Sequence, residues 1–201
     1  MEDGTASEFH EMGTDMDADW RQLWAKTAQD SSDCHYHPLL CHMLDIAAVA
    51  GLVWDDHLTS GLRKRLESAL GVGDARTYVV FVAGAHDIGK ACPGFQKKMP
   101  KLCERLQLPF STNDQDRPHG FISACVLKES LGPCSTSALL GQIAGGHHGV
   151  FPRSVDTQMG RDSLGNSDWT TARRELLSAF ANAIGFDLNR AFQCRAETST
   201  P

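Results

Sequence analysis

An aspartate inside an apolar run constrains this sequence more than any other feature. Asp87 lies in "FVAGAHDIGKACPGF", directly after His86 and one helical turn before Lys90. A carboxylate in such an apolar run is costly to bury unless it is paired or bound to a cation. The run therefore predicts a buried ionic site, in which Asp87 either forms a salt bridge with Lys90 or binds a metal ion.

The spacing of apolar residues predicts that nearly the whole chain is helical. Two patterns are clearest: "HPLLCHMLDIAAVAGLVW", in which Pro38 suits a first helical turn, and the amphipathic "SGLRKRLESALGV". Four further helices are predicted in "ARTYVVFVAGAHDIGKA", "HGFISACVLKESL", "STSALLGQIAGG" and "DWTTARRELLSAFANAIG". Shorter helices are predicted over residues 19–28 and within "CPGFQKKMPKLCERLQLPF", whereas "RSVDTQMGRDSLGNS" is predicted as a polar loop. The expected fold class is all-α, with about six or seven helices.

Length and patterning indicate one domain, because 201 residues are enough to bury a substantial core. Residues 1–18 are predicted to be a flexible acidic segment, residues 19–195 the folded domain, and residues 196–201 a disordered tail. The acidic start has no apolar segment typical of a secretory signal. No apolar run approaches the roughly 18–20 residues that a membrane span needs, so no membrane partner is expected.

The charge balance and the cysteines exclude two further classes of protein. With a formal net charge of −6, the chain is not expected to bind nucleic acid through a broad basic surface. A DNA or RNA substrate would therefore need a local attraction, or delivery by another domain. The seven cysteines are odd in number, widely scattered and without a C-x-x-C pair, which argues against a zinc ribbon. Free thiols in a reducing cytoplasm are the better interpretation, so the expected location is cytoplasmic.

Five histidines lie at the edges of predicted elements. They are His37, His86, His119, His147 and His148. Neutral imidazole is the commonest transition-metal ligand, and a carboxylate can bridge two metals. Taken singly, such histidines are more often caps, surface residues or hydrogen-bonded core residues, and the neighbouring Asp87 is what favours a metal site. No role is assigned to His10, His35, His42 or His57.

Four segments carry a resemblance to a known family. In chain order, "HPLLCHMLDIAAVAG", "AHDIGKACPGFQ", "HGFISACV" and "GGHHGVFP" resemble the HD-type nuclease domain of the CRISPR-associated helicase-nuclease of type I systems. The most specific elements are "GKACPGFQ" after the His-Asp pair and the paired histidines of "HHGVFP". The resemblance implies an HD-domain helical bundle with the metal site between helices. It also implies a metal-dependent nuclease that cuts single-stranded DNA, fed by a helicase domain or subunit that the RNA-guided surveillance complex recruits.

The resemblance also implies a role for each matching residue. The ligands of two metal ions would be His37, His86, Asp87, His119, His147 and His148. His37 and His86 would belong to the first ion, and Asp87 would bridge to the second. Lys90 would lie near the scissile phosphate, where it could neutralise developing charge. The alternative for Lys90 is a solvated helical lysine.

Phosphodiester hydrolysis fits such a centre independently of the resemblance. Two metal ions a few ångströms apart can stabilise both the attacking and the leaving oxygen, and one lowers the pKa of a bound water toward neutrality. Imidazole-rich ligation favours Mn, Fe, Co, Ni or Zn over Mg, which prefers oxygen ligands. We therefore expect two divalent transition-metal ions, with Mn, Ni, Co or Fe favoured and Mg disfavoured.

One part of the family pattern has no counterpart in these 201 residues. In the family, a later helix carries an Ala-Asp-Trp-like motif, and its aspartate completes the first metal site. "SDWTTARREL" lies too soon after "HHG" to match it, so Asp168 is interpreted as an N-cap or first-turn acid. The first metal ion is therefore expected to bind weakly. Asp45 lies two helical turns after His37 and could orient that imidazole or an adjacent histidine; the alternative is an acid on the surface.

A narrow basic path is predicted near "FQKKMPK". Lys97, Lys98 and Lys101 could guide a DNA strand toward the metals, and Phe95 could stack on a base. The alternative is a set of solvated lysines around a phenylalanine of the core.

Two other functions stay open. An HD phosphohydrolase acting on nucleotides or cyclic nucleotides would need a closed pocket for a base, and no residues specify one. A degenerate HD domain with an incomplete centre would be a binding or regulatory module instead of an enzyme. The number of metal ions bound separates this module, with at most one, from the nuclease, with two.

Overall fold

The computed structural model describes residues 19–27, 35–132 and 134–189. The predicted acidic segment 1–18 and the tail 196–201 lie outside these ranges. The prediction of an all-α fold is confirmed, because the regular structure of the described residues is helical apart from one short two-stranded ribbon. No helix within these ranges combines the length and apolarity needed to cross a membrane.

The helices follow the predicted order and carry the core. They are α1 (Leu39–Leu52), α2 (Ser60–Leu70), α3 (Ala75–Gly84), α4 (Pro93–Gln96), α5 (Pro100–Leu106), α6 (His119–Ser130), α7 (Ser135–Gly145), α8 (Ser154–Arg161) and α9 (Ser167–Ala183). Helix α1 packs on α3, and α6 packs on α7 and α8. Trp169, Phe81 and Phe180 are among the largest fully buried side chains, so α9 closes the core from one side. Side chains cap the N-termini of several helices. At the start of α3, for example, Asp74 accepts a 3.1 Å hydrogen bond from the amide of Thr77.

The segment Ala85–Lys90 is a 3-10 helix that continues α3 and lies against α1 and α6. The predicted helix over this run is therefore two elements, α3 and a tighter turn that re-aims the side chains after Gly84. Gly89 permits the close approach to α6, since a Cβ there would lie 2.1 Å from the carbonyl oxygen of His119. The amide of Gly89 also donates to Ser123 Oγ at 2.9 Å. These contacts fix Asp87 beside the start of α6.

A short ribbon replaces the helix predicted over residues 19–28. A 3-10 turn at Trp20–Gln22 leads into β1 (Trp24–Thr27), which pairs antiparallel with β2 (Tyr36–Pro38). The register skips one residue on β1, because Trp24 pairs with Pro38 while Lys26 pairs with His37. Ala25 is thus the extra residue of a β-bulge. The pairing with β2 overrides the local helical pattern, which sequence spacing alone cannot anticipate.

Two further boundaries differ from prediction. Helix α8 forms within the segment predicted as a polar loop. Asp156 explains it, since its carboxylate accepts from the backbone amide of Arg153 at 2.9 Å and caps the first turn. The segment around α4 and α5 holds two short helices, each with proline in its first turn.

Asn166, not Asp168, is the N-cap of α9, and Asp168 is an exposed acid in the first turn.

Candidate metal centre

The carboxylate of Asp87 lies at the point where α1, α6, α7 and the 3-10 segment meet. Asp87 is only 3% exposed, and it lies within an apolar stretch of the sequence. Its Oδ2 lies 2.9 Å from His42 Nε2 and 2.8 Å from Lys90 Nζ. Its Oδ1 lies 3.0 Å from His119 Nε2. The apolar run therefore does bury an ionic group, surrounded on both oxygens by nitrogen atoms.

A first group of metal donors combines His42, His86 and Asp87. His42 reaches the carboxylate from α1, and His86 Nε2 lies 3.3 Å from the same Oδ2. His42 is 4% exposed, on the face of α1 that also buries Leu39 and Met43. The three donor atoms lie within 4.8 Å of one another, so one ion could contact all three.

A second group combines His119, His147 and His148. His119 begins α6, and the other two imidazoles follow the end of α7. The Nε2 atom of His119 lies 3.2 Å from Nε2 of His147 and 3.0 Å from Nε2 of His148. Two nitrogens bound at a right angle to one ion at about 2.1 Å lie about 3.0 Å apart. Asp87 Oδ1 lies next to this second group, and Asp87 Oδ2 lies next to the histidines of the first group. One carboxylate therefore faces both groups.

Small residues bring the second group together. A Cβ on Gly120 would lie 2.4 Å from the carbonyl oxygen of Gly145, and a Cβ on Gly145 would lie 2.7 Å from that of Gly120. The backbones of α6 and α7 therefore touch one residue after His119 and two before His147. This contact sets the spacing of the imidazoles on the two helices.

The tautomers of two histidines leave lone pairs aimed at the carboxylate. Nδ1 of His86 lies 2.7 Å from the carbonyl of Ala83, and Nδ1 of His147 lies 2.6 Å from that of Ala144. Because a carbonyl only accepts, each Nδ1 must be the donor, and the neutral ring then has an unprotonated Nε2. Each Nε2 faces an oxygen of Asp87, which repels a lone pair unless a proton or a cation lies between them.

The surroundings of Asp87 Oδ1 also indicate that a proton or a cation belongs beside this carboxylate. It is buried and accepts no well-aligned hydrogen bond from any residue that the structure describes. The closest nitrogens are Nε2 of His119 at 3.0 Å and Nε2 of His147 at 3.4 Å. A buried carboxylate oxygen without a hydrogen bond is costly, and a bound cation removes that cost. The donor set, imidazoles around a bridging carboxylate, fits divalent transition metals.

The charges shift the pKa values of the centre in different directions. Burial opposes ionisation of Asp87, but His119, His147, His86 and Lys90 together hold the pKa of its carboxyl far below its usual range. Burial lowers the pKa of His42, which keeps that imidazole neutral. For His147, burial acts downward, but the nearby Asp87 carboxylate and the hydrogen bond to the Ala144 carbonyl leave its pKa raised, so a proton competes with a cation for the nitrogen that faces Asp87.

The pKa of the exposed His148 imidazole is lowered, mainly by partial desolvation and next by the neighbouring imidazoles of His147 and His119. A neutral imidazole has a lone pair available for a metal ion. His148 is therefore in the form that binds metal at neutral pH.

Most of the residues predicted for the site do meet at Asp87. The structure brings together His86, Asp87, Lys90, His119, His147 and His148. His37 is not in the cluster: its Nε2 lies 2.9 Å from Asp45 Oδ2, in an exposed pair. His42, to which the sequence analysis assigned no role, takes the place given to His37. Its signal was its position beside Leu39 and Met43 on the apolar face of α1, where a histidine needs a buried partner.

Lys90 forms the salt bridge that was the alternative to metal binding. Its Nζ lies 2.8 Å from Asp87 Oδ2 and donates to the carbonyl of Ala25 at 3.2 Å. Lys90 is only 8% exposed, so it is not a solvated helical lysine. The salt bridge and the histidine groups use the same carboxylate, and the two interpretations are therefore compatible.

The predicted path for DNA is corrected at Phe95. The ring is 7% exposed and packs against Trp24 at a centroid distance of 4.4 Å, so it belongs to the core and offers no face to a base. Lys98 is exposed but forms a 2.8 Å ion pair with Asp116. Lys97 donates to the carbonyl of Asp114. Both lysines lie on the surface next to the buried ring, as the alternative interpretation expected.

An apolar cavity of about 550 Å³ opens beside the centre. Its walls come mainly from aliphatic side chains such as Leu66, Val79 and Leu140, and His86 and His147 border one side. Apart from these two imidazoles, no polar side chain lines it. The cavity therefore offers few hydrogen-bond partners for a nucleobase.

Comparison with known proteins gives one consistent result. The sequence profile of the family described as "Cas3, HD domain" matches residues 24–200. The "CRISPR-associated endonuclease/helicase Cas3" of Thermus thermophilus is 33% identical over 177 residues, which are 83% of this chain and 19% of that protein. The chain thus spans about a fifth of the length of the curated relatives that it matches.

Solved structures agree with the sequence comparison. A structure titled "Crystal structure of CRISPR-associated protein" has a TM-score of 0.75 and 36% identity, over 84% of this chain and 20% of that one. The Thermus thermophilus Cas3 HD domain, solved in the presence of Ni²⁺, has a TM-score of 0.61 and 28% identity over 86% of this chain and 68% of that one. A chain in a "CRISPR RNA-guided surveillance complex, pre-nicking" has a TM-score of 0.64 and 28% identity, over 82% of this chain and 21% of that one.

Proposed function

The chain belongs to the Cas3 HD domain family, and on that premise we propose that it is a metal-dependent nuclease domain that hydrolyses single-stranded DNA. The observation that carries the proposal is the position of the buried Asp87 carboxylate between two groups of imidazoles. Divalent transition-metal ions bound there would supply an activated water and stabilise the oxygens of a phosphodiester displacement.

The residues of the chain have separate tasks in this proposal. Asp87 holds one oxygen toward each group of histidines, which is what a bridging ligand requires. His86 and His147 keep their Nδ1 protons on backbone carbonyls, so their Nε2 atoms stay available as ligands. The ammonium of Lys90, next to the carboxylate, is close enough to the centre to neutralise charge that develops on a phosphate.

The number of ions depends on the first group, whose third donor is the carboxylate of Asp87 that also borders the second group. His42, His86 and Asp87 are three donors, and the oxygen of Asp87 in this group also contacts Lys90. We propose two ions, Mn, Ni, Co or Fe in preference to Mg, with the His119 group the tighter. The structure of the Thermus HD domain with Ni²⁺ supports the choice of metal class.

The proposed partners come from the longer relatives. Those relatives are named nuclease/helicases, and one similar chain is part of a surveillance-complex structure. We propose that a helicase domain or subunit feeds single-stranded DNA to this domain, and that an RNA-guided surveillance complex recruits the helicase. Delivery by a partner agrees with the net charge of −6, which does not favour capture of DNA by the domain alone.

The alternative of a nucleotide phosphohydrolase has less support. Such an enzyme needs polar groups to recognise a base, and the cavity beside the centre has aliphatic walls. A binding module with a degenerate centre is favoured only by the three-donor group at His42. Metal stoichiometry distinguishes it, since a module would bind at most one ion.

The decisive experiment is cleavage of circular single-stranded DNA with Mn, Ni, Co or Mg, together with elemental analysis of bound metal. We expect metal-stimulated cleavage with about two ions bound per chain, lost in Asp87→Ala. Asp168→Ala is the matched control, because Asp168 is an exposed acid away from the centre. Cleavage that persists in Asp87→Ala, or no cleavage with one ion or none, would contradict the proposal.

A further inference from the structure

A buried glutamine lies between the candidate centre and the β-ribbon. Gln96 is 0% exposed, and its side-chain amide is fully engaged with backbone groups. Nε2 donates to the carbonyl of Trp24 at 2.9 Å and to the carbonyl of Lys90 at 2.9 Å. Oε1 accepts from the amide of Trp24 at 3.2 Å. One amide thus joins strand β1 to the backbone of the lysine that contacts Asp87.

The bulge in β1 provides the second part of the arrangement. Ala25 is the extra residue between Trp24 and Lys26, which both have partners on β2. Its carbonyl accepts from Lys90 Nζ at 3.2 Å. β-Bulges commonly redirect backbone or side-chain groups next to active sites. Gln96 therefore holds the strand whose bulge binds the head of Lys90, and also binds the backbone of Lys90 itself.

The position of the ammonium depends on these contacts. Lys90 has a long side chain with several rotatable bonds, and its charge can be fixed only by acceptors around it. Those in the described residues are Asp87 Oδ2 at 2.8 Å and the carbonyl of Ala25. The ring of Phe95 adds a face 5.5 Å from Nζ. A metal ion on Asp87 would compete with the ammonium for the same oxygen, which leaves Ala25 as the contact that keeps Lys90 nearby.

We propose that Gln96 is a positioning residue: through β1 and the Ala25 bulge it holds the Lys90 ammonium beside the metal-binding carboxylate. This inference deepens the proposed function and rests on it for the part that Lys90 plays in cleavage. Gln96 does not itself contact Asp87 or the histidines of the centre. Its effect on the centre passes through Lys90, which makes it separable from a purely structural role.

A double-mutant cycle tests the proposal. The variants are Gln96→Met, Lys90→Met and the pair of them, and the first readout is the affinity for Mn²⁺ alone, measured by titration calorimetry. Removing the ammonium from the carboxylate should tighten Mn²⁺ binding about tenfold in Lys90→Met and several-fold in Gln96→Met. In the Lys90→Met background, Gln96→Met should have no further effect.

The second readout separates kcat from KM. Gln96→Met should lower kcat for single-stranded DNA about tenfold and change KM less than about twofold, with no additional loss when Lys90 is already methionine. Gln96→Asn retains an uncharged amide on a side chain one methylene shorter, and serves if the methionine variant does not fold. The control is Trp169→Phe. This substitution also removes a hydrogen bond from a buried side chain to a backbone carbonyl, the 2.8 Å bond from Trp169 Nε1 to Pro109. Trp169 is far from Lys90 in sequence.

The outcomes distinguish the two proposals. Coupling in both readouts supports the positioning role. Equal effects of Gln96→Met with and without Lys90 overturn it, because the glutamine would then act only on stability, as Trp169→Phe does. If the Mn²⁺ affinities of the variants are coupled but the wild-type chain cuts no DNA, the positioning role is supported and the proposed nuclease function is contradicted.

Discussion

The assignment of ring nitrogens decides how the candidate centre binds metal. In His86 and His147, Nδ1 donates to the carbonyl three residues earlier, so the helix end itself selects the tautomer. This local contact needs no partner from elsewhere in the chain. Each ring therefore presents Nε2 as a ligand as soon as its turn has formed.

The exchange of His37 for His42 leads to a prediction at the level of a single side chain. His42→Ala removes a buried donor 2.9 Å from Asp87, and we expect Mn²⁺ affinity of the first group to fall about a hundredfold. His37→Ala is the matched control, because that imidazole pairs with exposed Asp45. Titration calorimetry measures both. A larger loss in His37→Ala than in His42→Ala would reverse the assignment.

A second prediction concerns the free thiols. Cys92 is 1% exposed, and burial raises the pKa of its thiol to about 11. At pH 8 the thiolate is therefore scarce, and alkylation should be about a hundredfold slower than that of an ordinary exposed thiol. The rate should keep rising with pH up to about 11, as the thiol ionises.

Mass-spectrometric mapping of iodoacetamide labelling tests this, with exposed Cys41 as the internal control. Cys92 should react only slowly in the native protein, and as fast as Cys41 once the protein is unfolded in denaturant. Equal rates in the native protein would mean that this part of the core opens readily.

The sequence could predict charge in the core but not every partner of that charge. Asp87 and Lys90 are one helical turn apart in an apolar run, so context and spacing suffice for them, whereas the roles of His147 and His148 were implied only by the family resemblance. His42 was missed because a histidine on an apolar helix face looks the same whether it binds a carboxylate or packs in the core. For Phe95 the sequence left a stacking residue and a core residue as alternatives, because nothing local reveals the tryptophan that packs against it.

At the level of elements, the close contact of α6 and α7 controls the second group of ligands. Gly120→Ala places a methyl group against the backbone of Gly145, and we expect a loss of stability of about 1–3 kcal/mol. Because the helices must separate, Mn²⁺ binding by the His119 group should weaken as well. Chemical denaturation and calorimetry measure the two effects.

Gly61→Ala is the control for helix propensity. A Cβ there meets nothing within 4 Å, so alanine should leave stability unchanged or raise it by up to about 1 kcal/mol. Metal binding should not change. If Gly120→Ala behaves like Gly61→Ala, the glycine contact does not set the ligand spacing.

Elements made by local spacing were predicted well, and those made by distant contacts were not. Helices α1, α2, α6, α7 and α9 follow apolar periodicities that the sequence displays directly. Strand β1 depends on hydrogen bonds from Gln96, 72 residues after Trp24, and from β2, whose Pro38 pairs with Trp24 across 14 residues. Helix α8 depends on one capping aspartate in a polar segment, where periodicity carries no signal.

At the level of the molecule, metal binding and folding should be coupled. The centre takes side chains from α1, the 3-10 segment, α6 and the end of α7, so an unfolded chain cannot reproduce it. A metal at a hundred times its Kd then stabilises the native state by about 2.7 kcal/mol. For a domain of this size, that corresponds to a rise in Tm of about 5–10 °C.

Thermal unfolding with and without Mn²⁺ tests the coupling, and a chelator should reverse the shift. Asp87→Ala should remove most of the shift, because both groups lose a donor. Asp168→Ala should keep it. A full shift in Asp87→Ala would place the stabilising ion somewhere else on the molecule.

The order of the metal ligands along the chain also determines when the centre can form during synthesis. His42 is made early, whereas His147 and His148 follow only after α7, and the core then still needs α9 with Trp169 and Phe180. At about 5–20 residues per second, His148 is added about 5–20 seconds after His42. A ribosome that stops before residue 148 therefore releases a product without the full centre. The candidate centre is therefore a late product of synthesis, because its two histidine groups come from opposite halves of the chain.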